Sequence, residues 1–146
     1  MAVNDFNDSI INQFRENAGK VGAPFEGMSL LLLHSTRAKS GEERVHPVVY
    51  NDLDGRYAIF ASMAGGPKNP AWYHNLVAHP DVSIEIGTET VNVTARVTEG
   101  DERSSIWEPW KTAVPTFVEY EQKTSREIPV IVLEPRSLAP PPTFID

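Results

Sequence analysis

Two runs of alternating side chains meet at a glycine turn, and they restrict this chain more than any other feature. In residues 82–86 the apolar positions are Val82, Ile84 and Ile86; in residues 90–97 they are Val91, Val93, Ala95 and Val97, with polar residues between them. A period of two puts all the apolar side chains of a strand on one face. The segment therefore reads as an antiparallel hairpin with one buried and one wet face, turning at Gly87-Thr88-Glu89. Short apolar or β-branched runs at 29–35, 45–51, 57–62 and 129–134 supply further strands, separated by turn residues. Asp52-Leu53-Asp54-Gly55 joins the second and third of these, with Gly55 free to take positive φ.

Helical signals are fewer. Phe6, Ile10, Ile11 and Phe14 recur at helical spacing, so residues 5–18 read as an amphipathic helix that Gly19 stops. Its polar face carries Asp5, Asp8 and Glu16 against Arg15, unlike the basic face of membrane-surface helices, so its apolar stripe is expected on the core. Residues 70–78 read as a helix with Asn69 as N-cap and Pro70 at its first position. Residues 99–110 read as another, with acids in the first turn, and 115–123 as a third. Pro140-Pro141-Pro142 reads as an extended tail. Hairpins with a few helices, and no regular βαβ alternation, predict an α+β, mainly β, fold: one barrel domain over residues 1–146 flanked by short helices.

Composition narrows function by exclusion. The 146 residues contain no cysteine, which removes disulfides, thiol catalysis and Cys-ligated metal centres. The apolar run Leu30–Leu33 is far too short to span a bilayer, and the N-terminus lacks the pattern of a secretory signal, so a cytoplasmic location is expected. A net charge of −7 argues against a nucleic-acid binder. His34, His46, His74 and His79 have no metal-ligand spacing, and no phosphate-binding glycine motif or nucleophile elbow occurs.

Positive charge is nevertheless concentrated. Residues 27–80 hold Arg37, Lys39, Arg44, Arg56 and Lys68 against four acids, whereas the remainder holds eight basic residues against sixteen acids. The loop Arg37, Lys39, Ser40, Gly41 and Arg44 offers guanidinium forks, a point charge and backbone N–H groups, a set that suits a phosphate or carboxylate. The alternative reading is a solvated hairpin. Downstream, Ala61-Ser62-Met63-Ala64-Gly65-Gly66-Pro67 combines small residues, which let a flat ring approach the backbone, with the Ser62 hydroxyl; its plainer reading is an ordinary turn. Trp72 and Leu76 lie four apart, as core anchors on one helix face do.

Taken in order, K-S-G-x-x-R-V-x-P-V-V-Y, A-S-M-A-G-G-P-K-N-P-A-W-Y-H-N-L, H-P-D-V-S-I-E-I-G and I-P-V-I-V-L-E-P resemble the deazaflavin-dependent nitroreductase family over residues 28–135. These are split β-barrel reductases that use coenzyme F420. The resemblance implies that the cofactor's phosphate and oligoglutamate tail meets Arg37, Lys39, Ser40 and Arg44, and that His46, Pro47, Val48 and Val49 run beneath it. It further implies that Ala61, Ser62 and Met63 border the deazaflavin ring and that Trp72, Tyr73 and Asn75 close the site. Substrate contacts fall to Val114, Phe117 and Tyr120. Ser62 is the candidate for orienting the acceptor and Tyr120 for donating a proton. The implied activity is hydride transfer from reduced F420 to an electron-poor, hydrophobic acceptor such as a quinone, an enone or an unsaturated lactone. An FMN-dependent split-barrel enzyme and a non-catalytic F420 carrier are the alternatives, and pairing into a homodimer is an open expectation. The chain departs from relatives in three ways. It has Arg37-Ala38-Lys39 for G-R-K, His46 for Asn and Met63 for Lys. Two tyrosine hydroxyls of the nitroreductase pocket are missing, which counts against that enzyme's nitro-drug activity.

Overall fold

A computed structural model describes residues 3–18, 29–62 and 65–136, with side chains from residue 8 onward. Helix α1 (Val3–Glu16) precedes strands β1 (Leu30–Thr36), β2 (Glu43–Asp52) and β3 (Tyr57–Phe60). Helix α2 (Ala71–Ala78), strands β4 (Asp81–Ile86) and β5 (Glu89–Val97), helices α3 (Gly100–Ala113) and α4 (Thr116–Lys123) and strand β6 (Val130–Pro135) follow. The six strands close into an antiparallel barrel in the order β1-β2-β3-β6-β5-β4. This is the expected class, a mainly β barrel with helical additions.

The alternation read from the sequence sets the register. Val82 pairs with Val93 and Ile84 with Val91, so their side chains share the inner face. They join Leu31, Leu33, Ile59, Ile131 and Leu133 in the barrel core, which α2 caps with Trp72 and Leu76. The pattern ends at Val97, which closes β5 and is 40% exposed. A second apolar cluster lies outside the barrel, where Trp107 and Trp110 of α3 and Phe117 of α4 cover Ala58, Phe60, Val130 and Val132. The third sets Ile10, Ile11 and Phe14 of α1 against Leu30 and Leu32, and Val45 and Val49 pack against it. The described part of the α1 stripe, Ile10, Ile11 and Phe14, thus rests on the protein.

Every strand pair is antiparallel, so the C-terminal ends of β1, β3 and β5 and the N-terminal ends of β2, β4 and β6 share one end of the barrel. The loop segments 37–42, 61–62, 65–70 and 124–129 all open there. Helix α2 and the α3–α4 pair are inserted at the same end. Segments far apart in sequence are brought together by topology alone.

Several boundaries differ from the expected ones. Strand β3 stops at Phe60 rather than 62. The N-cap of α2 is Pro70 with extended backbone, not Asn69, whose side chain accepts a hydrogen bond from Arg126 instead. Helix α3 runs on through Pro109 to Ala113, three residues beyond the expected stop. Proline costs an internal hydrogen bond, but burial of Trp110 just beyond it favours continuing the helix. The α1 stop at Gly19, Met63 and the proline tail lie outside the described residues.

Candidate functional site

A groove of about 940 Å³ opens between α1, the β1–β2 loop, the start of β2 and α2. Asp8, Ile11, Asn12 and Arg15 form its α1 wall. Arg37, Ala38, Lys39 and Glu43–His46 form its floor and rim, and Ala71 and Asn75 close it on the α2 side.

Strand geometry divides the labour along β2. His46 pairs with Leu33 and Val48 with Leu31, so both lie on the inner face, whereas Val45 and Val49 pack outward against the α1 cluster. Arg44 pairs with Ser35 at the barrel mouth. One short segment therefore presents a cation and an imidazole to the groove while anchoring its opposite wall.

Asn75 braces this arrangement. Its buried side chain accepts a hydrogen bond from the Ala38 N–H at 3.2 Å and donates to the Ser35 hydroxyl at 3.4 Å. The loop closes on itself: the Arg37 N–H donates to the Glu42 carbonyl at 2.8 Å, and the Gly41 N–H to the Arg37 carbonyl at 3.0 Å. Gly41 permits this with φ of +73°. The Ser40 hydroxyl accepts from the Glu42 N–H at 3.2 Å, so its oxygen supports the loop from within.

His46 carries the clearest unmet demand at the site. Its Nδ1 is buried and has no hydrogen-bond partner among the described residues. Burial, reinforced by the Arg44 charge, pushes its imidazole pKa below the ordinary value. A neutral ring beside the Arg44 guanidinium can donate or accept a hydrogen bond without adding positive charge.

The α1 wall is held by a carboxylate. Arg15 donates to Glu85 through Nε at 3.1 Å and Nη2 at 2.6 Å. The same carboxylate lies 2.6 Å from His34 Nε2, whose Nδ1 is 3.4 Å from Glu43. The Arg15 hydrogen bonds hold the Glu85 carboxyl below its usual range against the opposing effect of burial, and His34 adds to this. A folded-state pKa below the unfolded value contributes stability that is complete above about pH 4.3 and is lost as pH falls through the folded value. Glu85→Gln is expected to lower the melting temperature most above about pH 4.3, where the wild-type contribution is complete, and to converge with wild type as pH falls through the folded value, which leaves a flatter acid limb. An unaltered acid limb would assign the loss to other carboxylates.

A second cluster gathers at the same barrel end. Arg126 donates to the carbonyls of Gly66 at 3.1 Å, Ala61 at 3.2 Å and Ser62 at 3.0 Å, and to Asn69 Oδ1 at 2.5 Å. Desolvation lowers the pKa of this guanidinium. The Gly65 N–H donates to the Ser62 carbonyl at 2.9 Å, and Gly65, at φ of +82°, is pressed against Tyr120 and Lys123 of α4. Ala61, Ser62 and Tyr120 therefore belong to one neighbourhood, fixed by Arg126 on one side and α4 on the other.

The remaining sequence-derived candidates divide by burial. Trp72 is packed in the barrel core, and Tyr73 lies at its edge against His74. Phe117 is buried among Phe60, Trp107 and Trp110, leaving Val114 and Tyr120 at the margin of that cluster. Pro47 is partly exposed in β2. Sequence reasoning missed Arg126 and the α1 side chains of the groove. Nothing in the spacing marks Arg126, whose partners lie 57 to 65 residues earlier in the chain. Arg15 was visible only as the lone cation of an acidic helix face.

A model of the F420H(2)-dependent quinone reductase family matches residues 9–135. The chain belongs to this family. It is 35% identical over 127 residues to an F420H(2)-dependent quinone reductase of Mycobacterium tuberculosis strain H37Rv, covering 84% of this chain and 85% of the relative. Among solved structures, it is similar to an F420-H2 dependent reductase, FDR-A, at 41% identity and a TM-score of 0.67, over 73% of this chain and 94% of the other. A structure described as a domain-swapped dimer matches at 35% identity and a TM-score of 0.69, covering 91% of this chain and all of that one. The family is one of oxidoreductases, and the matched region takes in the whole barrel together with the basic loop and the Arg126 neighbourhood.

Proposed function

We propose that the groove holds F420H2 and that the chain reduces a quinone, with enones and unsaturated lactones as chemically similar acceptors. One observation carries this reading. Arg37, Lys39 and Arg44 converge on a groove that also contains a buried imidazole nitrogen with no partner among the described residues. A long ligand with a phosphate and several carboxylates would satisfy both, so the residues present fit the cofactor.

When bound, reduced F420 supplies the hydride equivalent, and the protein's share is position, exclusion of water and a proton. Lys39, Arg37 and Arg44 hold the anionic tail, braced through Asn75. His46 Nδ1 offers a hydrogen bond to the bound molecule. Ala61 leaves room for the ring at the strand end, and the Ser62 hydroxyl orients the acceptor carbonyl. Reduction of a quinone to the hydroquinone also takes up a proton; we assign its supply to the phenol of Tyr120, which packs on Phe117, with Val114 as apolar wall. We place this reaction in one domain acting in the cytoplasm, paired as a homodimer.

The test is an acceptor panel of quinones, enones and unsaturated lactones, with F420H2 and reduced FMN compared side by side. F420H2 oxidation by quinones is the expected result. Oxidation of reduced FMN alone, or tight F420H2 binding with no turnover on any acceptor, would overturn it. For Ser62→Ala, turnover is expected to fall about tenfold, the effect of one lost orienting hydrogen bond of roughly 1–1.5 kcal/mol, with cofactor affinity unchanged. A loss confined to cofactor affinity would contradict the orienting role.

A further inference from the structure

The cationic loop is already occupied by an anion of its own. Glu42 Oε1 lies 3.0 Å from Arg44 Nη2 and 3.5 Å from Arg37 Nη1, so one carboxylate oxygen bridges two of the three guanidinium groups that line the groove. Those are the N–H edges that a phosphate or carboxylate ligand would take. We propose that Glu42 is an internal competitor that a ligand must displace, and that it determines which anions the groove admits. This inference rests on the reading of the groove as the F420 site and identifies the residue that sets its selectivity.

Three observations support displacement. The loop does not depend on the Glu42 carboxylate, because the backbone bonds Arg37 N–H to Glu42 carbonyl and Gly41 N–H to Arg37 carbonyl, with Ser40 Oγ on the Glu42 N–H, close it independently. The Arg37, Glu42 and Arg44 side chains are each about half exposed, at 50%, 59% and 48%, so the bridge is a solvated one that exchanges readily. The other arginine of the groove differs. Arg15 is held through two nitrogens by Glu85, which is only 19% exposed, and remains committed to the α1 wall. Lys39 has no carboxylate within ion-pair distance among the described residues, and so is available from the start.

The consequence is a filter on charge. A ligand with a single carboxylate would merely exchange one carboxylate for another on Arg37 and Arg44 and gain little. A ligand bearing a phosphate together with further carboxylates can replace Glu42 on both arginines and also engage Lys39. Binding of such a polyanion exchanges an internal ion pair for external ones, so its salt dependence is shallower than three free cations would give.

The experiment is titration of oxidised F420, read by its fluorescence, into the wild-type chain, Glu42→Gln and Glu43→Gln at several salt concentrations. Glu43 also lines the groove, but its carboxylate faces His34, so the Glu43→Gln variant removes the same charge without freeing the arginines. Glu42→Gln is expected to bind F420 about three- to tenfold tighter at low salt with a steeper salt slope, in line with the modest strength of exposed ion pairs. Glu43→Gln is expected to gain clearly less. Equal gains in the two variants would reduce the effect to general charge, and unchanged or weaker binding by Glu42→Gln would overturn the inference outright. A wild-type chain that binds no F420 would instead remove the functional reading on which the inference rests.

Discussion

Replacing Lys39 and Arg44 together with alanine is expected to weaken F420 binding by about 2–3 kcal/mol, roughly 30- to 150-fold. Charge-assisted hydrogen bonds to a phosphate or carboxylate are worth about 1.5–3 kcal/mol each, and two on one ligand do not add fully. Arg44 is close to half exposed and spends part of its capacity on Glu42, which keeps the estimate at the lower end. The fold should survive, because the loop is closed by its own backbone bonds and by the Ala38 N–H on Asn75. Isothermal titration at low salt measures the loss directly. Lys68 is an exposed cation outside the groove, so Lys68→Ala provides the comparison and is expected to change binding little. An unchanged affinity in the double variant would remove the loop from the site.

Gly65→Ala is expected to destabilise the protein by about 3 kcal/mol, lowering the melting temperature by about 10 °C for a chain of this size. Two costs combine. The backbone sits at φ of +82°, which an L side chain adopts only with strain. The added Cβ would also meet the Tyr120 carbonyl oxygen and the Lys123 Cβ, both at 2.9 Å. The oxygen belongs to the backbone of α4 and cannot swing away, so either the helix or the loop must shift. The loop carries Ser62, and its displacement is expected to lower turnover in the fraction that remains folded. Gly55→Ala gives the contrast: φ there is +100°, but nothing lies within 4 Å of the new Cβ, so only the backbone cost applies. Equal melting temperatures for the two variants would show that contact with α4 contributes nothing.

The barrel was legible because its signals are local. Val82 and Ile84 alternate with polar residues, their partners Val93 and Val91 do the same, and Gly87 supplies the turn, so register follows from neighbouring residues. The basic loop was legible for a similar reason, since Arg37, Lys39 and Arg44 stand within one short segment. What bound the site together was not. Asn75 reaches Ala38 across 37 positions and Ser35 across 40, and the Arg126 contacts are longer still. Such pairings depend on barrel closure, which places segments 37–42, 61–62, 65–70 and 124–129 at one end and leaves no periodic trace in the chain. Asn69 shows how tertiary demand overrides a local rule: its position suits an N-cap, yet Arg126 claims the side chain. The tryptophans show the limit of composition. A tryptophan can wall a pocket or fill a core, and it is the packing of Trp107 and Trp110 over the outer face of β3 and β6 that makes them core.

The most direct check is a crystal structure of the chain with F420 bound. The anionic tail is expected on Arg37, Lys39 and Arg44 with Glu42 turned aside, an atom of the bound molecule within hydrogen-bond reach of His46 Nδ1, and the deazaflavin ring at the Ala61–Ser62 strand end. Density for the cofactor at another face of the barrel, or a groove still bridged by Glu42 under saturating F420, would contradict the account.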